Sequence, residues 1–219
     1  MTDYTPALNN YSAMRKFGNN RWILYSVKAG RKIILFSNLE YYNYLFSEFD
    51  PSIVFLCEQA PKISVELDDG VKKSIFDLVT IDEFGNEIFV ECKYSKDLTK
   101  PKVKKQLQAQ RFWCKKNGYN HKLFTEESLL GREIEISNLM QFHSIIQSEK
   151  IDESTIEIIT QLLKDESKTI KVIANFVQMP LEKIICQVIH GFHRGNFSLP
   201  ISSEHLNSNM EVKSIAKKA

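Results

Sequence analysis

Hydrophobic and polar positions change rhythm along this chain. In the first part they mostly alternate, as in half-buried strands, with helix-spaced stretches between; from about Ser137 the helical spacing takes over. "RWILYSVKAGRKIILFS" reads as two strands about a turn at Ala29-Gly30, ending at Phe36. "SNLEYYNYLFSEFD" follows with a helical stripe of Leu39, Tyr42, Leu45, Phe46 and Phe49. Ser37 can cap that helix, Glu40 stands at the capping-box spacing, and Asp50-Pro51 stops it. "IVFLCEQAPKISVEL" is β-rich, "DDG" a turn, and "VKKSIFDLVTID" another strand. "EFGNE" joins that strand to its hairpin partner "IFVECKYS". "KPKVKKQLQAQRFWCKKNG" places Val103, Leu107, Gln110 or Arg111, and Cys114 at helical spacing between Pro101 and Gly118. "YNHKLFTEE" is a short strand. This order predicts an α/β module with one mixed sheet and helices packed on it.

The second half predicts four helical segments: "SNLMQFHSIIQS", "DESTIEIITQLLKD", "TIKVIANFVQ" and "LEKIICQVIHGFHRG". The last two, divided by Met179-Pro180, resemble a helix-turn-helix, and "NFSLPISSEHLNSNMEVKSI" fits a β wing. A boundary near residue 136 separates residues 1–136, with a polar arm over 1–20, from residues 137–219. In the closing "EVKSIAKKA", Val212 and Ile215 are the sizeable apolar side chains among lysines, which predicts a disordered free tail that either orders on a partner or is a terminus without a role.

Composition narrows the class. The chain has 219 residues, 43% hydrophobic and 26% charged, as ordinary globular domains do. The formal net charge is only +2, so affinity for nucleic acid must come from local basic patches. Cys57, Cys92, Cys114 and Cys186 form no CxxC pair, which suits a reducing compartment and argues against a zinc ribbon or disulfide framework. No apolar run is long enough to span a bilayer, and "MTDYTPALNN" has no signal-peptide pattern. The expectation is a cytoplasmic protein with no membrane partner.

The candidate chemistry lies on the hairpin. Asp77 in "IFDLVT" and Glu91 in "FVECK" fall on neighbouring strands, and Lys93 shares the face of Glu91. Two converging carboxylates suit a hard cation such as Mg²⁺, which activates water and stabilises charge on a phosphoryl oxygen. A lysine two residues on can orient that water or stabilise the phosphate. "KYSKDLTKPKVKKQ" follows, and Lys96, Lys100, Lys102, Lys104 and Lys105 read either as a solvated helix start or, beside a site that handles a phosphoryl group, as contacts to a nucleic-acid phosphate backbone. His190 and His193 lie i, i+3 near a helix end, without an acidic or cysteine partner nearby, and read as structural or solvent-facing. A GxSxG elbow and a P-loop are both absent.

Asp77 with Glu91-Cys92-Lys93 resembles the PD-(D/E)xK nuclease fold. "GRKIILFSNLEYYNYLFSEFDPSIVFLCEQAP", "VECK" and "QRFWCKKNGYNHKLFTEE" extend the likeness. Over about residues 20 to 130 the chain is similar to TnsA-like endonucleases, subunits of the heteromeric transposases of TnsABC-type transposons. The resemblance implies catalytic roles for Glu40, Asp77 and Lys93. Glu91 stands where the best-known member has glutamine, and glutamate is the commoner choice in the wider superfamily. Glu40, Asp77 and Glu91 would then hold Mg²⁺, or Mn²⁺ in its place. The resemblance further implies hydrolysis of the 5′ strands at transposon ends in the bacterial cytoplasm. Its partners would be end DNA, the DDE transposase TnsB and the AAA+ regulator TnsC, with a winged-helix C-terminal domain whose tail meets TnsC. Glu58-Gln59 reads equally as support for the site or as a satisfied strand pair. Two rivals stand beside this reading: another PD-(D/E)xK nuclease of restriction or repair type, and a non-catalytic DNA-binding adaptor.

Overall fold

A computed structural model describes residues 4–7, 20–68 and 70–215. The chain divides into two compact units, one of residues 1–47 and 53–130, the other of residues 48–52 and 131–219.

The first unit opens with the hairpin β1 (Trp22–Ser26) and β2 (Arg31–Leu35), turned at Gly30 with φ 65°. Helix α1 (Asn38–Glu48) follows. Its start is fixed by the predicted cap: Ser37 Oγ accepts from Glu40 N at 3.1 Å and donates to Glu40 Oε1 at 3.0 Å. A four-stranded mixed sheet comes next, in the order β3 (Ile53–Glu58), β6 (Leu78–Asp82), β7 (Glu87–Cys92), β8 (Asn120–Phe124). Its first three strands are antiparallel, and β7 runs parallel to β8 through the crossover helix α2 (Pro101–Asn117). Pro101 at the first turn and Gly118, left-handed at φ 75°, end α2 where predicted.

The expected single sheet is corrected: β1–β2 and β4 (Lys62–Leu67) with β5 (Gly70–Ile75) are separate two-stranded pairs. Each of the two long β runs breaks in the middle. "IVFLCEQAPKISVEL" breaks at Gln59-Ala60-Pro61, where Gln59 has φ 49° and proline cannot donate to a ladder. "VKKSIFDLVTID" breaks at Phe76-Asp77. The breaks let β4–β5 leave the sheet and face α2. Ala60, Ile63, Val65, Phe76, Phe89, Ala109 and Cys114 are buried together there, with Trp113 and Tyr119 against them.

Most of the predicted arm, residues 1–3 and 8–19, lies outside the described residues. Its described part is packed: the Tyr4 ring meets Phe89 edge-on, and Ala7 N donates to Gln59 O at 2.9 Å.

The second unit contains α3 (Glu133–Ser148), α4 (Glu153–Leu162), α5 (Ile170–Val177) and α6 (Leu181–His193). Three short strands, β9 (Lys168–Thr169), β10 (Phe197–Ser198) and β11 (Glu211–Ser214), pair in the order β10-β11-β9. This overturns the free tail. Val212 is fully buried in the middle strand, and Ile215 N donates to Asn196 O at 2.8 Å. Two strand partners satisfy this backbone, an outcome that short-range apolar content alone does not register; residues 216–219 of the predicted tail lie outside the described residues. His190 and His193 are buried, with His190 Nε2 2.9 Å from Glu149 O and His193 Nε2 3.1 Å from Glu48 Oε1. Among the described residues no single helix is long and apolar enough to cross a membrane.

Candidate nuclease site

Asp77 occupies the break between β5 and β6. Its backbone N donates to Val90 O at 3.0 Å, and Oδ2 accepts from Cys92 N at 2.8 Å. The carboxylate thus satisfies a β7 donor at the end of the ladder, and the fold holds it against Glu91. Glu91 is only 1% exposed. Lys93, just past the end of β7, pairs with Glu91 Oε1, and its backbone N is fixed by Phe124 O at 3.0 Å. The shared face predicted for Glu91 and Lys93 is therefore present, and Cys92 is buried.

Glu40 reaches the same place from α1. Its capping bonds persist, and Oε2 also accepts from Phe36 N at 2.9 Å and Gln59 Nε2 at 3.3 Å. The same Gln59 amide lies 3.3 Å from Asp77 Oδ1, so it bridges the two carboxylates. Capping and site membership are both true of Glu40. The neighbouring Glu58 forms a bidentate pair with Arg31, at 2.8 and 2.7 Å, which ties β2 to β3. The two members of the "EQ" pair thus divide the two readings between them.

Two glutamines on α2 complete the surround. Gln106 Nε2 donates to Glu91 Oε1 at 2.7 Å, and Gln110 Nε2 to Glu91 Oε2 at 2.6 Å. Both amides also approach Ser74 Oγ, at 3.4 and 3.0 Å. Sequence reasoning missed this role. The available signal was an i, i+4 glutamine pair with Gln110 on the apolar face of a lysine-rich helix.

The electrostatics follow from burial and crowding. Burial, then the charge of Asp77, pushes Glu40 up to about 8 and Glu91 up to about 7. Asp77 is also raised by burial, against the pull of Lys93 and its two hydrogen bonds. Burial works against the Lys93 ammonium, but Asp77 and Glu91 outweigh it and push its pKa up. Three carboxylates therefore crowd one cation, and Asp77 disfavours the ionisation of both Glu40 and Glu91. A divalent cation relieves that kind of repulsion, so the chemistry of the donors fits one. Among the described residues no three His, Cys, Asp or Glu side chains form a ready coordination group. The set fits a cation that takes one or two carboxylates and keeps several waters, as Mg²⁺ does.

The predicted DNA-contact lysines do not stay together. Lys102 and Lys105 line a groove shared with β4–β5, whereas Lys104 lines the opposite flank of α2 with Arg111. Lys100 pairs with Asp97 at 2.6 Å, and Lys96 lies over the Tyr94 ring.

Compared with known proteins, residues 50–126 match the family described as TnsA-like endonuclease N terminal. The matched segment contains Asp77, Glu91 and Lys93; Glu40 precedes it. No curated protein matches the chain.

Proposed function

We infer that this chain, whose residues 50–126 are a TnsA-like endonuclease domain of the PD-(D/E)xK type, is the subunit of a heteromeric transposase that hydrolyses the 5′ strands at transposon ends. The observation that carries the reading is the meeting of Asp77, Glu91 and Lys93 within the matched segment, with Glu40 joined to Asp77 through Gln59. Asp77 and Glu91, with Glu40 behind them, would hold Mg²⁺ or Mn²⁺. That cation supplies an activated water and charge neutralisation at the phosphoryl group.

The protein's own contribution is preorganisation. Gln106 and Gln110 fix both oxygens of Glu91, and the Cys92 amide fixes one oxygen of Asp77. Lys93 stays cationic beside them, where it can orient a water or meet the charge developing on phosphate. Of the candidate lysines, Lys102 and Lys105 line the groove that also carries Gln106, and they are the ones proposed to meet DNA, whereas Lys104 lies on the opposite flank of α2.

End DNA, TnsB and TnsC are the proposed partners, in the bacterial cytoplasm. A winged helix for the second unit is supported by the order helix, strand, two helices, two strands and by the β10-β11-β9 pairing. Gln187 and His190 of α6 are turned to internal duties, whereas Glu182 and Lys183 at its start are exposed. Gln187 Oε1 accepts from Asp152 N at 2.7 Å, Gln187 Nε2 donates to Lys150 O at 3.1 Å, and His190 reaches Glu149 O. An adaptor reading bases with this helix would therefore have to use Glu182 and Lys183 at its start, and with β11 tied into a sheet the contact with TnsC is proposed on the folded surface of this unit.

The test is the product of transposition. With Lys93→Ala, 3′ cutting and joining by TnsB should persist while the element stays attached to donor DNA, so simple insertions give way to cointegrates. An unchanged product ratio from a folded variant would reject the reading.

A further inference from the structure

Three donors from two elements close on the Glu91 carboxylate. Lys93 Nζ and Gln106 Nε2 both donate to Oε1, and Gln110 Nε2 donates to Oε2. An ionised carboxylate has about four acceptor positions, two on each oxygen. Oε1 is therefore full, and a single position is left, on Oε2. The burial of Glu91 keeps its carboxylate from turning to water to free the other oxygen. The glutamines are held in turn, because both amides reach Ser74 Oγ on β5 and Gln110 and Ser74 are buried. The neighbouring carboxylates are partly used as well: Asp77 accepts one bond on each oxygen, and Glu40 Oε2 accepts two.

We propose that Gln106 is a positioning residue that selects the cation: by filling Oε1 together with Lys93, it limits Glu91 to one bond through Oε2, and the site takes Mg²⁺ or Mn²⁺ in preference to Ca²⁺. A small octahedral cation binds through one or two carboxylates and keeps several waters. Calcium takes about six to eight oxygens and in many sites grips both oxygens of one carboxylate. A carboxylate with one open position serves the first and denies the second that grip. Gln110 differs from Gln106 in this respect. Its loss opens a second position on Oε2 but leaves Oε1 full, so Glu91 still binds through one oxygen. The two amides, one turn apart on α2, thus have separate roles: Gln106 sets which ion is held, and Gln110 holds the side chain in place.

The proposal rests on the nuclease reading for the use made of the cation, but its test needs no cut. Mn²⁺ binding to the full chain is followed by the loss of the free ion's spin-resonance signal, and Ca²⁺ is titrated against it. The parent should favour Mn²⁺. Gln106→Met and Gln106→Ala remove the donor at a half-buried position and should each narrow that preference by about tenfold, the scale on which hydrogen bonds to a metal ligand tune a site. Gln110→Met should shift both ions together and leave their ratio unchanged. Thermal melting in chelator confirms that each variant folds. An unchanged ratio in the Gln106 variants, an equal change with Gln110→Met, or a parent that holds neither ion overturns the proposal. The expected ratios in a protein that cuts no DNA would count against the nuclease reading and leave the selectivity standing.

Discussion

Replacing Glu40 by Gln should stabilise the metal-free protein, and only at high pH. The fold holds this carboxyl in a nearly closed space beside Asp77, which raises it from 4.5 to about 8. A folded-state value above the unfolded one means that the fold prefers the protonated form. The associated stability is intact below the unfolded value and is lost as pH rises through about 8. At about 1.4 kcal/mol per pH unit, the interval corresponds to an upper bound of about 5 kcal/mol. Asp77 shares the repulsion, and the weaker acceptor costs part of the bonds to Phe36 N and Ser37 Oγ. A net gain of roughly 2–3 kcal/mol above pH ~8 remains, shrinking to within about 1 kcal/mol near pH ~4.5. Urea unfolding of both proteins in chelator at the two pH values reads this difference directly. A gap of the same size at both, or a variant less stable than the parent above pH ~8, would refute the reasoning. The gain in stability should accompany a loss of divalent-metal affinity.

Metal binding itself should strengthen with pH, because Glu91 and Glu40, at about 7 and about 8, must lose protons to bind; calorimetry with Mn²⁺ from about pH 6 to 8 should show this, and a flat profile would exclude these carboxylates as ligands. Gly191→Ala in α6 drives a Cβ to 2.2 Å from the Phe197 ring, so it should cost about 1–3 kcal/mol by thermal or urea unfolding. Val212→Ala should cost roughly 1–3 kcal/mol, and removal of residues 208–219 should unfold the second unit, as read by proteolysis; a fully folded truncation would contradict the role of β11.

The hairpin carrying Asp77 and Glu91, the crossover helix with its Pro101 and Gly118 ends, and the α1 cap were all legible, because each rests on local rules of turn, cap and alternation. Asp77, Glu91 and Lys93 were found as a pattern of types at a spacing. The breaks at Gln59-Ala60-Pro61 and Phe76-Asp77 were not foreseen, because uninterrupted β propensity conceals where a strand leaves its sheet. Gln106 and Gln110 were missed for a related reason: the reason to bury an amide is a carboxylate on another element, which no local window contains. The division of the lysine run escaped in the same way, since Lys102 and Lys105 come to share a groove with the hairpin only when β4–β5 packs on α2. Val212 was read as part of a free tail although two strands distant in sequence flank it.

The central claim is that Asp77, Glu91 and Lys93 cut the 5′ strand. Its most direct measurement maps, strand by strand, the cuts made at a transposon end in Mg²⁺ with TnsB and TnsC supplied, for the parent protein and Asp77→Ala. The account predicts cuts on both strands with the parent and loss of the 5′ cut alone with Asp77→Ala, the 3′ cut by TnsB persisting. A folded Asp77→Ala protein that still supports the 5′ cut would contradict it.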